Sequence, residues 1–297
     1  KRTLIIFLLG YLMYWFPFVK WDGGILHWNP LDQLRIMGIL QRIALCYFFA
    51  SLIVYYARIR QVFFICTLLL LGYWAVVLAF GDYTIQGFIG TYFDNLILGN
   101  HIYKKDIVPF DPEGLFSTIP AIVQVIFGYF VGFYIQQKGK TFEMLAHLLI
   151  GGCILMACGL MWDVFFPINK KMWTSSYVVY STGLAMLVIS MLIYLIEFKN
   201  KKGVWSKFFD VFGKNPLFIF VLSGVIIRLQ SLILIHDGIT TKGEVNYISP
   251  FRWFYKHICD PLFSVKENGS LLYALSFILL LWAIGYWMDK KKIYIKV

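Results

Sequence analysis

Residues 61–80 read QVFFICTLLLLGYWAVVLAF, an apolar run without a single charge. At about 1.5 Å per residue, a helix of this length spans a hydrocarbon core of about 30 Å. Working outward, similar runs occupy 3–18, 30–57, 112–137, 145–166, 173–197, 216–235 and 270–288. This pattern predicts an all-α fold, a polytopic integral membrane bundle of about eight transmembrane helices. Composition agrees: the 297 residues are 60% hydrophobic and 14% charged, whereas soluble domains are about half apolar and about a quarter charged. The mean hydropathy is +0.71. No low-complexity tract divides the chain, so residues 1–297 read as a single transmembrane domain. Lys1-Arg2 opens it without a Met or a signal-peptide n-region, the expected pattern for the C-terminal part of a longer chain.

The net charge of +11 raises nucleic acid as a partner, and the placement of the charge argues against it. Basic residues concentrate in the short connections 58–60, 138–143 and 198–215 and in the tail after Met288. The long connections 19–29, 81–111 and 236–269, with the span ends beside them, hold most of the acids, among them Asp82, Asp94, Asp106, Asp111, Asp237, Glu244 and Asp260. Basic residues in short loops face the cytoplasm. Both termini of this chain are therefore expected in the cytoplasm, with membrane lipid as the surrounding partner. The compact loops suggest a bacterial inner membrane. Cys46, Cys66, Cys153, Cys158 and Cys259 show no metal-ligand spacing, so no metal is expected. The histidines form no two-His motif and lie beside no recognisable nucleophile.

Ionisable residues inside apolar spans are functional candidates because burying them is costly. Asn29-Pro30-Leu31-Asp32 reads as a helix start, with a cap, a proline at the first position and an acid in the first turn. From it Arg35, Gly38 and Arg42 share one helical face, Arg42 lying about 10 Å deeper than Arg35. Two readings stay open: a binding site for an anionic or carbonyl-rich ligand, or an internal ion pair, with Asp163 as one partner. Asp111-Pro112-Glu113 reads as the capped start of the fourth span, kinked further on by Pro120, with Glu113 available to a sugar hydroxyl or amine. Asn169, Trp173 and Ser176 enter the sixth span. Trp173 suits an interface anchor, and Ser176, Tyr180 and Gly183 share a face that serves either a ligand or helix packing. Lys214-Asn215-Pro216 starts the seventh span among lysines, where a helix N-terminus favours anions. Arg228 is a further cation deep in that span.

Taken together, residues 34–42 (LRIMGILQR), 110–115 (FDPEGL), 169–177 (NKKMWTSSY) and 212–216 (FGKNP) resemble the heparan-alpha-glucosaminide N-acetyltransferase family and its bacterial homologues. Their order and spacing agree along nearly the whole chain, with Met37 standing where proline is usual. The resemblance implies transfer of an acetyl group from cytoplasmic acetyl-CoA, the co-substrate, to the amine of a terminal glucosamine on the far side of the membrane. On that basis Arg35, Arg42, Asp111, Glu113, Asn169, Trp173 and Ser176 are candidate substrate-binding residues. Lys214, Asn215 and Arg228 are candidates for the acetyl-CoA end. The resemblance places the catalytic histidine upstream of residue 1, so the catalytic residue of this chain is unknown. It also implies a homodimer. Two other functions remain open: a transporter of N-acetylglucosamine or a related amino sugar, for which the absence of an evident inverted repeat is unfavourable, and a non-catalytic membrane subunit.

Overall fold

Hydrocarbon offers no water to a backbone N–H or C=O, so each apolar run must satisfy its own polar groups as a helix. The computed structural model describes residues 1–22, 25–103, 108–239 and 245–295, which leaves Asp106 and Glu244 outside the described residues. In chain order the elements are α1 (Arg2–Trp15), β1 (Val19–Asp22), β2 (Ile25–Trp28), α2 (Ile39–Tyr56), α3 (Ile59–Phe80), α4 (Ile89–Leu98), α5 (Thr118–Lys138) and α6 (Phe142–Asp163). There follow α7 (Ser175–Ile193), α8 (Val204–Lys214), α9 (Pro216–Leu229), β3 (Ile235–Ile239), β4 (Val245–Ile248), α10 (Pro250–Phe254) and α11 (Lys266–Lys290). Among the described residues six helices are long and apolar enough to cross a membrane: α2, α3, α5, α6, α11, and α7 with the turn that follows it. The α8–α9 pair, bent by 80°, makes a seventh if it is one span. The polytopic helical class is as expected. The count falls below eight because α1 has only 14 residues and the 216–235 run stops being α-helical at Leu229.

The elements form two compact units, one of residues 1–11 and 31–201, the other of 12–30 and 202–297. In the first, α6 and α7 pack through glycines. A Cβ on Gly183 would lie 2.6 Å from the Met156 nitrogen and 2.7 Å from the Gly152 oxygen, and one on Gly159 would lie 2.7 Å from the Tyr180 nitrogen. Lipid tails are as apolar as leucine, so close backbone approach of this kind, rather than hydrophobicity, holds spans together. The shared face of Tyr180 and Gly183 is thus used for helix packing. A cluster of Tyr73, Val77, Phe88, Phe110, Phe116, Phe166 and Met172 is buried. Tyr73 donates its hydroxyl to the Met172 carbonyl (2.6 Å), and Ser175 donates to the Leu70 carbonyl (2.7 Å), fixing the start of α7 against α3.

In the second unit α8 and α9 pack on α11 at Gly285, where a Cβ would meet Val211 Cγ1 at 3.0 Å and Ile219 Cδ1 at 3.2 Å. Phe208 stacks on Trp282 with ring centroids 5.6 Å apart. Strands β1–β2 and β3–β4 form two antiparallel hairpins. Asp237 on β3 accepts from Lys256 Nζ (2.6 Å), tying the second hairpin to the turn after α10.

Three helix starts differ from expectation. α2 begins at Ile39, not near Pro30, so Arg35 lies in an extended segment before the helix rather than on one helical face with Arg42. That segment is held by the 101–103 stretch: Ile36 N donates to the His101 carbonyl (3.1 Å), and His101 Nδ1 lies 2.8 Å from the Leu34 carbonyl. α5 begins at Thr118, with Ser117 before it. Asp111 is therefore no helix cap, and Pro120, in the first turn, demands no kink because its missing N–H would have had no helical partner there. α7 begins at Ser175, capped by Thr174, whose hydroxyl accepts from Tyr177 N (3.4 Å).

Candidate functional site

The turn before α5 gathers the charges that the sequence scatters. Gly114 N donates to the Asp111 carbonyl (3.0 Å) and Glu113 N to Asp111 Oδ1 (3.0 Å), so residues 111–114 fold back on themselves. Arg35 closes over them. Its Nε donates to Asp111 Oδ2 (2.9 Å) and its Nη2 to Asp111 Oδ1 and to Glu113 Oε2 (2.5 Å). Its guanidinium stands 4.8 Å from the centre of the Tyr103 ring. The Asp111 side chain is fully buried, while that of Glu113 keeps 22% of its surface exposed. Of the two readings left open for Arg35, the ion pair is present, and its partners are Asp111 and Glu113. Asp163 instead accepts from Ile168 N (2.5 Å) and shapes the turn after α6.

Arg42 is 5% exposed and lies where three helices of the first unit begin. It rises from the first turn of α2, donates through Nη2 to Ser117 Oγ, the residue before α5, and lies over the ring of Trp173, just before α7, at 4.7 Å. Its Nη2 also reaches the Gly114 carbonyl (3.4 Å). Its Nε and Nη1 have no hydrogen-bond partner among the described residues. Helix N-termini carry the positive end of the backbone dipole. Three such ends beside a guanidinium with unused donors suit an oxygen acceptor, with the carboxylates of Asp111 and Glu113 close enough to offset the charge.

Trp173 is held in place from both sides. Its φ is +53°, a left-handed conformation that a bulky residue rarely adopts. Its Nε1 donates to Gln124 Oε1 (2.9 Å), and Gln124 Nε2 donates to Ser181 Oγ (3.1 Å). Strained backbone at a residue facing a buried charge is characteristic of functional sites. Asn169 builds the turn that presents it, with Oδ1 accepting from Lys171 N (2.8 Å) and Met172 N (3.3 Å). Ser176 is fully buried and shares a hydrogen bond with Thr174 Oγ1 (3.1 Å). Arg35, Asp111 and Glu113 form one cluster, and Arg42 with Trp173 a second; both use the 111–117 turn. Asn169 and Ser176 support that geometry from the α7 side.

Asp94, on α4, was not anticipated as a site residue. It is 2% exposed and accepts from Phe116 N (3.0 Å). Burial pushes its carboxyl up to about 6, against the pull of backbone donors at Phe116 and Leu115. Gly114 leaves it room: a Cβ there would sit 2.7 Å from Asp94 Cγ. The sequence carries only the spacing that puts Thr91, Asp94 and Leu98 on one helical face; that this face is the buried one is seen in the structure.

In the second unit, Lys214 donates to Asp289 (3.0 Å) and pairs with Asp210 (2.6 Å). Asn215 is fully buried and makes no cap for α9. Its Nδ2 donates to the Ile293 carbonyl (3.0 Å) and its Oδ1 accepts from Ile295 N (2.8 Å), clamping the tail. The expected cap is absent because the tail takes its side chain. Arg228 lies 5.7 Å above the Tyr14 ring and donates to the Gly224 carbonyl (3.4 Å). No group of His, Cys, Asp and Glu among the described residues is arranged to hold a metal ion.

Fold and site define a polytopic helical membrane protein with a buried arginine that keeps unused hydrogen-bond donors. Comparison with known proteins narrows the class. Heparan-alpha-glucosaminide N-acetyltransferase of Mus musculus is 31% identical over 148 residues, covering 44% of this chain and 22% of that protein. The protein of the same name from Homo sapiens is 30% identical over 161 residues, covering 48% of this chain and 24% of that protein. The matched stretch is thus about a quarter of each relative's length. This bears out the resemblance read from the sequence. No family model matches the chain.

Proposed function

We propose that this chain is part of a membrane N-acetyltransferase that moves an acetyl group from cytoplasmic acetyl-CoA to the amine of an amino sugar, glucosamine in type, on the outer face. The observation that carries this reading is Arg42, buried at the meeting of three helix N-termini with two donor groups unused. Acyl transfer needs such a place. The amine nitrogen attacks the thioester carbonyl carbon, and the carbonyl oxygen gains negative charge. The C–N bond forms, the C–S bond breaks, and a base carries one amine proton to the departing sulfur, so that the coenzyme leaves as its thiol. Preorganised donors aimed at the developing oxyanion supply the largest share of the rate enhancement in many enzymes. Arg42 fills that role here, with Ser117 and Trp173 holding its orientation. Glu113, the accessible member of the Arg35 cluster, receives the sugar's amine or hydroxyl.

The donor's phosphates are assigned to Lys214, Asn215 and Arg228. Lys214 is matched by two carboxylates, so an entering phosphate competes with Asp289 and Asp210 for it. The setting is a bacterial inner membrane with both termini of this chain in the cytoplasm and a homodimeric assembly, supported by the basic short connections and by the resemblance. The test is transfer of radiolabelled acetyl from acetyl-CoA to glucosamine by the full-length protein in detergent. Absence of transfer to any amino sugar, together with absence of acetyl-CoA binding, refutes the reading.

One observation favours a second reading. The 80° break between α8 and α9 is of the kind that transporters use to build substrate sites from half-helices. Counterflow of labelled N-acetylglucosamine in proteoliposomes without acetyl-CoA would establish transport instead.

A further inference from the structure

Gln41 is fully buried, yet neither its Nε2 nor its Oε1 has a hydrogen-bond partner among the described residues. It is the third residue of α2, the position from which a glutamine ordinarily reaches back to the N-cap backbone N–H. Here that bond is not made, and no side chain caps the helix, whose N-cap is the buried Gly38. Room for the amide is built into the first unit. Gly10, the one buried residue of α1, lies against it, and a Cβ there would stand 2.5 Å from Gln41 Oε1 and 2.7 Å from Cδ. Helical side chains slope toward the N-terminus of their own helix. Gln41 and Arg42 therefore both lean back over the uncapped first turn of α2. Three kinds of donor converge on that turn: its own backbone N–H groups, the Gln41 amide, and the unused Nε and Nη1 of Arg42. Buried polar atoms in folded proteins are nearly all bonded, and here an amide with both ends unused stands next to an arginine with two unused donors.

We propose that the start of α2 is the binding site for the thioester carbonyl oxygen of the acyl donor, with Gln41 Nε2 donating to that oxygen alongside Arg42. This rests on the acyl-transfer reading and adds Gln41, a residue that neither the motif pattern nor the charge pattern singles out for binding. Gln41 acts on the oxygen; it takes no proton and forms no bond to carbon.

The test uses the full-length protein purified in detergent, with Gln41→Met, which keeps the unbranched shape and removes the amide, and Gln41→Glu. Two readouts are taken: kcat and KM for labelled acetyl transfer, and the rise in melting temperature given by acetyl-CoA compared with CoA. In the unsubstituted protein acetyl-CoA gives the larger rise, because only it carries the carbonyl. In Gln41→Met kcat falls about 10²-fold, the loss typical of one oxyanion donor. KM changes far less, the ligand-free melting temperature does not fall, and the difference between acetyl-CoA and CoA disappears. Gln41→Glu loses both activity and that difference. Three results overturn the proposal: an unchanged kcat in Gln41→Met; a ligand-free melting temperature that falls with the activity, which makes Gln41 an internal strut; or no difference between acetyl-CoA and CoA in the unsubstituted protein. Failure of the wider reading looks different. A protein that distinguishes acetyl-CoA from CoA but acetylates no amino sugar keeps the carbonyl site and loses the proposed acceptor.

Discussion

Replacing Arg35 by methionine tests whether the charged cluster is a buried structural pair. The change strands the Asp111 carboxylate, whose side chain is fully buried, with Glu113 N as a remaining donor (3.0 Å). Removing one partner of a buried pair costs about 3–5 kcal/mol, because the other charge stays out of water. Glu113, 22% exposed, rehydrates and adds little. With the remaining bond to Asp111, the expected loss is near the lower limit, about 3 kcal/mol. At about 2–4 °C per kcal/mol for chains of this order of size, the melting temperature in detergent falls by about 6–12 °C. Adding Asp111→Leu to Arg35→Met removes the stranded charge and recovers a large part of the loss, since an apolar replacement of a whole buried pair is often neutral. Each variant is followed by thermal unfolding at fixed detergent and salt. A melting temperature for Arg35→Met within about 2 °C of the original, or a double variant no better than the single one, would refute the argument.

The raised Asp94 carboxyl predicts a pH dependence. Its folded pKa, about 6, lies above the unfolded value of about 3.9. The neutral form is favoured by the fold, so its stabilisation is complete below about pH 4 and is lost as pH rises through 6. The difference is ~3 kcal/mol from two pKa units, and Asp94→Asn, which keeps an oxygen for Phe116 N, removes that component of a stability-against-pH curve. Gly114→Ala drives a Cβ into the Asp94 carboxylate; a loss of about 1–3 kcal/mol is expected by thermal unfolding. Gly183→Ala pushes α6 and α7 apart at Met156 N and Gly152 O and lowers stability by a similar ~1–3 kcal/mol. Trp173→Ala removes the ring under Arg42, a contact worth about 2 kcal/mol when desolvated, and is expected to lower acetyl transfer more than it lowers the melting temperature.

The spans were legible because hydropathy alone decides them: α3, α6 and α11 fall close to the expected runs. Helix starts were not. Asn29-Pro30 and Asp111-Pro112 have the local chemistry of caps, yet long-range partners override it. Arg35, 76 residues away, takes the Asp111 carboxylate, and His101 holds the 34–36 segment extended. Short elements carried too little hydropathy to register. The four- and five-residue strands of the hairpins and the amphipathic α8, with Phe208, Val211 and Phe212 turned inward, lay almost wholly within segments read as loops. In the site, the intramembrane cations were conspicuous because charge is rare in spans. Gln41 was not, because it carries no charge and with the helix start placed at Pro30 it fell well inside the run. Its position in the first turn, its burial and its unmade bonds are seen only in the structure.

The most direct measurement is a structure of the full-length protein with a non-transferable analogue of acetyl-CoA in which a ketone replaces the thioester. The account predicts the ketone oxygen within about 3 Å of a nitrogen of Arg42, at the first turn of α2. An analogue bound with its carbonyl elsewhere, while Nε and Nη1 of Arg42 are filled by protein groups, would contradict it.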